Sequence, residues 1–167
     1  MIRFYIIAII FFQIVISQVS DGYYLFSPVI SFPEENQVYK TVLMDTSGTI
    51  INEWLHSKST ASTAYLLSDS TLLRPCKVEP PAFDVGGAGG LIQLLSWNNE
   101  IIWTYEMMNI EESQHHDIEP LPNGNILVIS WDRKSQAEAL AAGKVTHTGD
   151  LWSEKIIEIQ PIYPDSG

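Results

Sequence analysis

The chain has 167 residues and is 46% hydrophobic, 11% aromatic and 17% charged, a composition that indicates a globular core and excludes a disordered or coiled-coil protein. Its 20 acidic residues outnumber 9 basic ones, for a net charge of −11, which disfavours nucleic acid and anionic membrane surfaces as partners. The single cysteine, Cys76, cannot form an intramolecular disulfide, and no cysteine cluster of the metal-binding kind exists.

Residues 1–17 have the pattern of a secretory signal peptide. Arg3 gives a positive start, an apolar run broken only by Gln13 covers residues 4–16, and Ser17 ends a cleavage pattern. The run is shorter than the roughly 20 apolar residues that a membrane-spanning helix needs, so a retained anchor is the weaker alternative. We therefore expect an exported protein, periplasmic or secreted, that consists of residues 18–167 and has no membrane association after cleavage.

Short strands separated by turn residues fill the mature chain. Residues 23–26 form the first strand, and hairpins over 39–54 and 64–74 follow, which we expect to form one antiparallel meander. Two more hairpins cover residues 91–105 and 116–131, and the second of these turns on Pro-Asn-Gly. The predicted class is all-β.

A Pro- and Gly-rich stretch over residues 75–90 separates these units, and its glycines allow a ligand or another backbone to come close. A phosphate-binding loop is disfavoured because GGAGG precedes a strand here and not a helix. One short inserted helix is expected after the last hairpin, with Ser135 as N-cap, Glu138 as its capping-box partner and Gly143 at its end. A strand over 155–160 then begins a third unit.

The hairpins repeat along the chain. The segment TVLMDTSGTIINEW aligns with LIQLLSWNNEIIWTY, and TAYLLSDSTLLRP aligns with DIEPLPNGNILVIS. A period near about 50 residues is typical of a β-propeller, in which the tryptophans near strand ends pack between blades. Because a closed propeller needs on the order of 200–400 residues, we expect two blades and the start of a third: an N-terminal part, a truncated product, or a piece completed by another chain.

The candidate site is His115-His116-Asp117, at the mouth of the last hairpin. In a regular strand, His115 and Asp117 would share one face and His116 and Ile118 the other, so that at most one histidine would point into a given cavity. If the segment is a loop, both histidines can reach the same place. Adjacent histidines on opposite faces are poor joint metal ligands, so we expect no metal.

Four segments follow one another in the chain: GGAGGLIQLLSWNNEIIWTYE, QHHDIEPLPNGNILVISWD, SQAEALAAGK and LWSEKIIEIQP. In this order they resemble the N-terminal half of the exported aryl sulfotransferase family. GYYLFSP and MDTSGTIINEW fit the same family, so the resemblance covers most of residues 21–167. It implies a six-bladed propeller that moves a sulfuryl group from a phenolic sulfate ester to a phenol through a sulfated histidine. It also implies no metal, no cofactor and no adenosine-based donor.

The resemblance implies that His115 and His116 are catalytic or bind the sulfate ester, and that Asp117 helps to bind the substrate and orients one imidazole. A neutral imidazole can hold the sulfuryl group covalently, and neighbouring donors stabilise its oxygens. Arg133 follows the last hairpin and is a candidate to bind the substrate anion, with a solvated loop as the alternative. The nucleophilic histidine and its arginine partner are expected beyond Gly167. The turn Trp97-Asn98-Asn99-Glu100 departs from the family's usual aspartate-glycine turn.

Two other interpretations stay open at this stage. The histidines and Asp117 can form a hydrogen-bonded polar entry to a strand, with no chemical role. The chain can also be a non-catalytic secreted propeller that binds a protein, a glycan or a small aromatic ligand, since propellers serve unrelated functions.

Overall fold

A computed structural model of the chain describes residues 21–30, 33–81 and 86–167. The predicted signal peptide, residues 1–17, lies outside the described residues. Within those ranges the chain forms ten strands and one short helix, and all the sheets are antiparallel. The predicted all-β class is confirmed, and no sheet of the described ranges closes on itself.

The strands form three sheets in chain order. Sheet 1 contains β1 (Tyr23–Phe26), β2 (Tyr39–Asp45) and β3 (Ile50–His56). Sheet 2 contains β4 (Tyr65–Leu66), β5 (Leu72–Lys77), β6 (Gly90–Leu95) and β7 (Ile101–Glu106). Sheet 3 contains β8 (Glu112–Pro120), β9 (Ile126–Lys134) and β10 (Leu151–Ile159), with helix α1 (Gln136–Ala141) between its last two strands.

The prediction of one meander over residues 39–74 is wrong. β3 is the last strand of sheet 1 and β4 is the first strand of sheet 2, and the two do not pair. β5 pairs instead with β6 across the Pro- and Gly-rich stretch, from Leu72 opposite Leu95 to Lys77 opposite Gly90. The turn between two strands specifies a hairpin locally. No local signal specifies which strand pairs with the outer edge of that hairpin. The sequence pattern therefore located the hairpins but not their grouping into sheets.

Four hairpins share one turn geometry, over residues 45–49, 67–71, 96–100 and 121–125. In each, the first residue donates its N–H to the carbonyl of the fifth, and the fourth donates to the carbonyl of the first, at 2.8–3.1 Å. The fourth residue always has a positive φ, and these residues are Gly48, Ser70, Asn99 and Gly124. This is a three-residue loop closed by a left-handed residue. Its recurrence at equivalent places supports the predicted internal repeat.

Two apolar layers hold the three sheets together. The first joins sheets 1 and 2 and contains Leu43, Trp54, Ala64, Leu72 and Leu95. The second joins sheets 2 and 3 and contains Leu73, Ile92, Leu94, Trp103, Met107, Ile118, Ile126, Val128 and Ile159. Burying each large side chain stabilises the fold by about 1.5–3 kcal/mol.

One tryptophan is fully buried in each layer, and its indole N–H reaches a backbone carbonyl more than forty residues later in the chain. Trp54 Nε1 donates to the carbonyl of Ser96, and Trp103 Nε1 donates to the carbonyl of Ser166, both at 2.9 Å. Buried indole groups require such a partner. The prediction that tryptophans pack between successive units is confirmed for these two residues.

The short helix forms as predicted. Ser135 Oγ accepts from the Glu138 N–H at 3.3 Å, and the Glu138 carboxylate accepts from the Ser135 N–H at 2.8 Å, which completes the capping box. Gly143 follows the helix with a φ of +96°. The strand predicted at 155–160 also forms, as β10, which starts four residues earlier. It does not begin a third unit as expected, because it pairs with β9 and completes sheet 3.

Candidate functional site

The histidines lie on β8 where its pairing with β9 is interrupted. Gln114 pairs with Ser130 and Ile118 pairs with Val128, so three residues of β8 lie opposite one residue of β9. His116 has a φ of +53°, a conformation that costs a residue with a side chain about 1–3 kcal/mol. Bulges of this kind re-aim side chains and are frequent next to functional sites.

The bulge makes the period-two prediction for this segment wrong. His115 and Ile118 are both only 2% exposed, whereas His116 is exposed. The segment is a bulged strand and not a loop, yet both histidines come together, as expected for the loop alternative: their Nδ1 atoms are 2.7 Å apart. Regular alternation fails here because two additional residues are inserted into one strand of the pair.

His115 lies in an aromatic and acidic environment. Its ring stacks on the indole of Trp131, with ring centres 4.2 Å apart and planes 18° apart. Its Nε2 atom is buried without a hydrogen-bond partner and faces Glu154 Oε1 at 3.9 Å. Burial lowers the pKa of His115, the neighbouring His116 lowers it further, and Glu154 opposes the shift. His115 is therefore neutral at pH 7.

The glycine-rich stretch packs directly against the histidines. The His116 N–H donates to the carbonyl of Gly87 at 2.8 Å, and the Gly90 N–H donates to the side-chain oxygen of Gln114 at 2.9 Å. A Cβ atom at Gly87 would overlap the His116 ring, and one at Gly89 would overlap the Gln114 amide. The close approach expected from these glycines is confirmed for Gly87, Gly89 and Gly90, while residues 82–85 lie outside the described ranges.

Within the described residues Asp117 makes no hydrogen bond to either imidazole, so its expected role at the histidines stays a prediction. Its Oδ2 accepts a hydrogen bond from the Tyr65 hydroxyl at 3.3 Å, and its Oδ1 has no hydrogen-bond partner. Burial, with the charges of Asp117 and Glu119, raises the pKa of Tyr65 to about 12.

Arg133 is bound to two carboxylates. Its guanidinium contacts Glu111 at 3.0 Å and Asp150 at 2.7 Å, and among the described residues none of its hydrogen bonds goes to the histidines. The structure therefore brings His115 and His116 together and leaves Arg133 in an ion-pair network. Substrate binding by Arg133 stays a prediction.

A second polar cluster is built from sheets 1 and 2. Arg74 is 1% exposed and donates to the Gln93 side chain and the Lys58 carbonyl, both at 2.8 Å. His56 Nε2 lies 2.9 Å from Thr41 Oγ1. Burial, and then the charge of Arg74, lower the pKa of His56 to about 3.

Cys76 belongs to this second cluster. Its thiol donates to the Gln93 side-chain oxygen at 3.2 Å, and burial raises its pKa to about 11. A protonated, buried thiol is a poor nucleophile.

Two further absences concern the described ranges only. No three His, Cys, Asp or Glu side chains in them are placed to hold a metal ion. No helix in them is long and apolar enough to cross a membrane.

Three contributors to the histidine environment were missed from the sequence. Trp131 carried a packing interpretation only, Gly87 was one of several loop glycines, and Glu154 was one acid among twenty. Glu154 pairs with Trp131 between β10 and β9, and Trp131 pairs with Ser113 between β9 and β8. A correct strand register would have placed Trp131 and Glu154 near the histidines. The register across the bulge, however, cannot be deduced from the spacing of residues in the sequence.

Comparison with models of known protein families, with curated proteins and with solved structures finds no match to this chain. The resemblance to the aryl sulfotransferases therefore rests on the sequence segments quoted above.

Proposed function

We propose that the chain is the N-terminal part of an exported aryl sulfotransferase built as a β-propeller. In this proposal the complete protein moves a sulfuryl group from a phenolic sulfate ester to a phenol, through a sulfated histidine. The observation that carries the proposal is the Nδ1 to Nδ1 contact of 2.7 Å between His115 and His116, inside a bulge that leaves His116 exposed.

The histidine contact suits this chemistry because it requires at least one neutral imidazole. Two imidazoles that share one hydrogen bond need one N–H and one bare nitrogen at the contact. Neutral imidazole can accept a proton or attack an electrophile, which protonated imidazole cannot do. The exposed ring of His116 is open to a substrate, and the buried ring of His115 supports it.

The propeller architecture is supported by the repeat of sheets and turns. Three successive antiparallel sheets are joined by two apolar layers, which is how neighbouring blades pack. We propose that sheets 1, 2 and 3 are successive blades of a six-bladed propeller. The arginine and the nucleophilic histidine that this chemistry needs come, in this proposal, from sequence beyond Gly167.

A non-catalytic binding module is the second candidate, and one observation favours it. A groove of about 520 Å³ lies between the hairpin turns of sheets 2 and 3, and its walls include Leu66, Trp103, Pro122 and Tyr163. Mostly apolar cavities of this size suit small aromatic ligands. A module of this kind would bind a phenol or an aryl sulfate in the groove without transferring the sulfuryl group.

The test uses the native exported protein, with its intact mass measured first. We expect release of a chromogenic phenol from its sulfate ester to depend on an added phenol acceptor. Changing both His115 and His116 to Ala should reduce transfer by about a hundredfold or more, while the far-ultraviolet circular dichroism is retained. His147→Ala is the matched histidine control and should transfer normally. Unchanged transfer in the double variant would remove the pair from the site.

The 167-residue chain alone should transfer nothing, because a partial channel cannot position donor, nucleophile and acceptor together. Binding of an aryl sulfate in the groove, without transfer by the native protein, would favour the binding module.

A further inference from the structure

We infer that Glu154 fixes the tautomers of the two histidines, so that His116 presents a bare, basic Nε2 to the outside and takes the proton of an incoming phenol. The phenol in this inference rests on the proposed function. The assignment of Glu154 does not, because it follows from contacts within the chain.

The contact between the rings allows only two arrangements of protons. Each neutral imidazole carries one N–H, on Nδ1 or on Nε2. Because the Nδ1 atoms are 2.7 Å apart, one Nδ1 carries a proton and the other accepts it. Either His115 donates and keeps a bare Nε2, or His116 donates and keeps a bare Nε2.

Glu154 selects the second arrangement. The buried Nε2 of His115 has no hydrogen-bond partner and faces Glu154 Oε1 at 3.9 Å. A carboxylate attracts an N–H proton and repels a lone pair at the same place. The proton of His115 therefore lies on Nε2, its Nδ1 accepts from His116, and the Nε2 of His116 is left bare.

Neighbouring residues hold both rings in this geometry. Trp131 lies opposite Glu154 in the strand register, and its indole stacks on His115 at 4.2 Å. The Gly87 backbone lies against the His116 ring, where a Cβ atom would overlap it. Each ring is thus fixed by a contact that makes no hydrogen bond to its nitrogens.

The proton transfer balances without any added group. The O–H bond of the phenol breaks, and an N–H bond forms at His116 Nε2. His116, now an imidazolium, keeps its Nδ1 proton in the hydrogen bond to the bare Nδ1 of His115, which stays neutral in its buried position. The charge remains on the exposed ring, where solvent and this hydrogen bond stabilise it. The phenolate attacks the sulfuryl sulfur as the bond from sulfur to its carrier breaks, and the reverse steps return the proton to a leaving phenolate.

The first test measures the tautomers in the 167-residue chain. Long-range ¹H–¹⁵N correlation spectra of histidine-labelled protein at pH 8 separate protonated from bare ring nitrogens. We expect His116 to carry its proton on Nδ1 and His115 to carry its proton on Nε2. The opposite pattern would overturn the inference.

The second test replaces the carboxylate. In Glu154→Gln, acylation of His116 by diethyl pyrocarbonate should slow by about two- to fivefold, the range expected for loss of one partly exposed charge contact. Glu158→Gln is the control, since Glu158 lies on the same strand but bonds to Asn125 at 2.7 Å, and it should leave the rate unchanged. Equal rates in the Glu154 variant and the parent chain would exclude a role for Glu154.

In the native protein, Glu154→Gln should slow transfer to weakly acidic phenols more than transfer to strongly acidic ones, which need less help to lose their proton. An equal effect on both would exclude His116 as the proton acceptor. If the tautomers are as expected but the native protein transfers no sulfuryl group, the proposed function and the phenol are excluded, and the assignment of Glu154 stands.

Discussion

The molecule holds two buried histidines in contrasting settings. His56 lies between sheets 1 and 2, where its ring contacts Thr41 at 2.9 Å and regular strands surround it. His115 lies in sheet 3, where its Nε2 has no hydrogen-bond partner and its neighbour His116 has a strained backbone. Both rings have lowered pKa values, with burial as the largest cause.

The contrast teaches that burial and a shifted pKa do not by themselves mark a functional histidine. The second polar cluster, around His56 and Arg74, also contains an unpaired buried nitrogen, Arg74 Nε, but His56 itself lies in regular register opposite Tyr39. The His115 cluster combines an unpaired ring nitrogen, a bulge and an exposed partner ring, which cost stability and are retained in proteins where a site needs them. The predictions below test this division.

The largest effect on the free energy of unfolding is expected from a substitution of Arg74. Changing Arg74 to Ala removes a buried side chain and leaves the Gln93 and Lys58 oxygens without their donor, which should lower the free energy of unfolding by about 3 kcal/mol. Arg133→Ala is the control, because its ion pairs lie at the surface and contribute little to stability. Urea unfolding measures both. Equal losses would show that the His56 cluster is not structural.

The next effect concerns pH. The folded state holds the pKa of His56 near 3 against an ordinary 6.5, so the unfolded state binds more protons between these values. His56 therefore stabilises the fold fully above pH 6.5, and this contribution is lost as the pH falls toward 3. At pH 5 the loss is about 2 kcal/mol.

Urea unfolding of His56→Gln at pH 7 and pH 5 tests the pH effect. The variant cannot titrate at this position, so its stability should fall by about 2 kcal/mol less than that of the parent over the same interval. His115 titrates in both the parent and the variant, so its contribution to the change in stability cancels in the comparison. An identical fall would refute the assignment to His56.

Gly87→Ala should disrupt the histidine contact at a smaller cost. An alanine there is strained by the positive φ, and its Cβ overlaps the His116 ring, so a loss of about 1–2 kcal/mol is expected. Gly48→Ala is the matched control, with a similar positive φ but open space at the Cβ position. Only the Gly87 variant should change the histidine tautomers in ¹H–¹⁵N spectra. Unchanged spectra would show that Gly87 does not position His116.

His116→Gly should have the smallest effect on stability. Glycine adopts a φ of +53° without strain, which offsets the loss of the hydrogen bond to His115 Nδ1, so the free energy of unfolding should change by less than about 1 kcal/mol. The native protein carrying this change should nevertheless lose sulfuryl transfer. A loss of stability as large as that at Arg74 would mean that His116 is structural.

Local features were predicted well from the sequence. The hairpin turns, the capped helix and the buried Trp54 and Trp103 each depend on residues within a few positions of one another or on a strong apolar preference. The grouping of strands into sheets was not predicted, because β5 pairs with β6 across about a dozen residues whose sequence carries no pairing signal.

The same contrast between local and long-range features holds for the candidate site. By itself the sequence determined that His115 and His116 are adjacent, polar and next to a tight hairpin, and that glycines can approach them. Only the tertiary structure decided that His115 is buried, that His116 is exposed, and that Asp117 turns to Tyr65. The physical reason is the bulge: its two inserted residues break the alternation of the strand, and the partners that fix it, Trp131, Glu154 and Gly87, come from other strands and a distant loop.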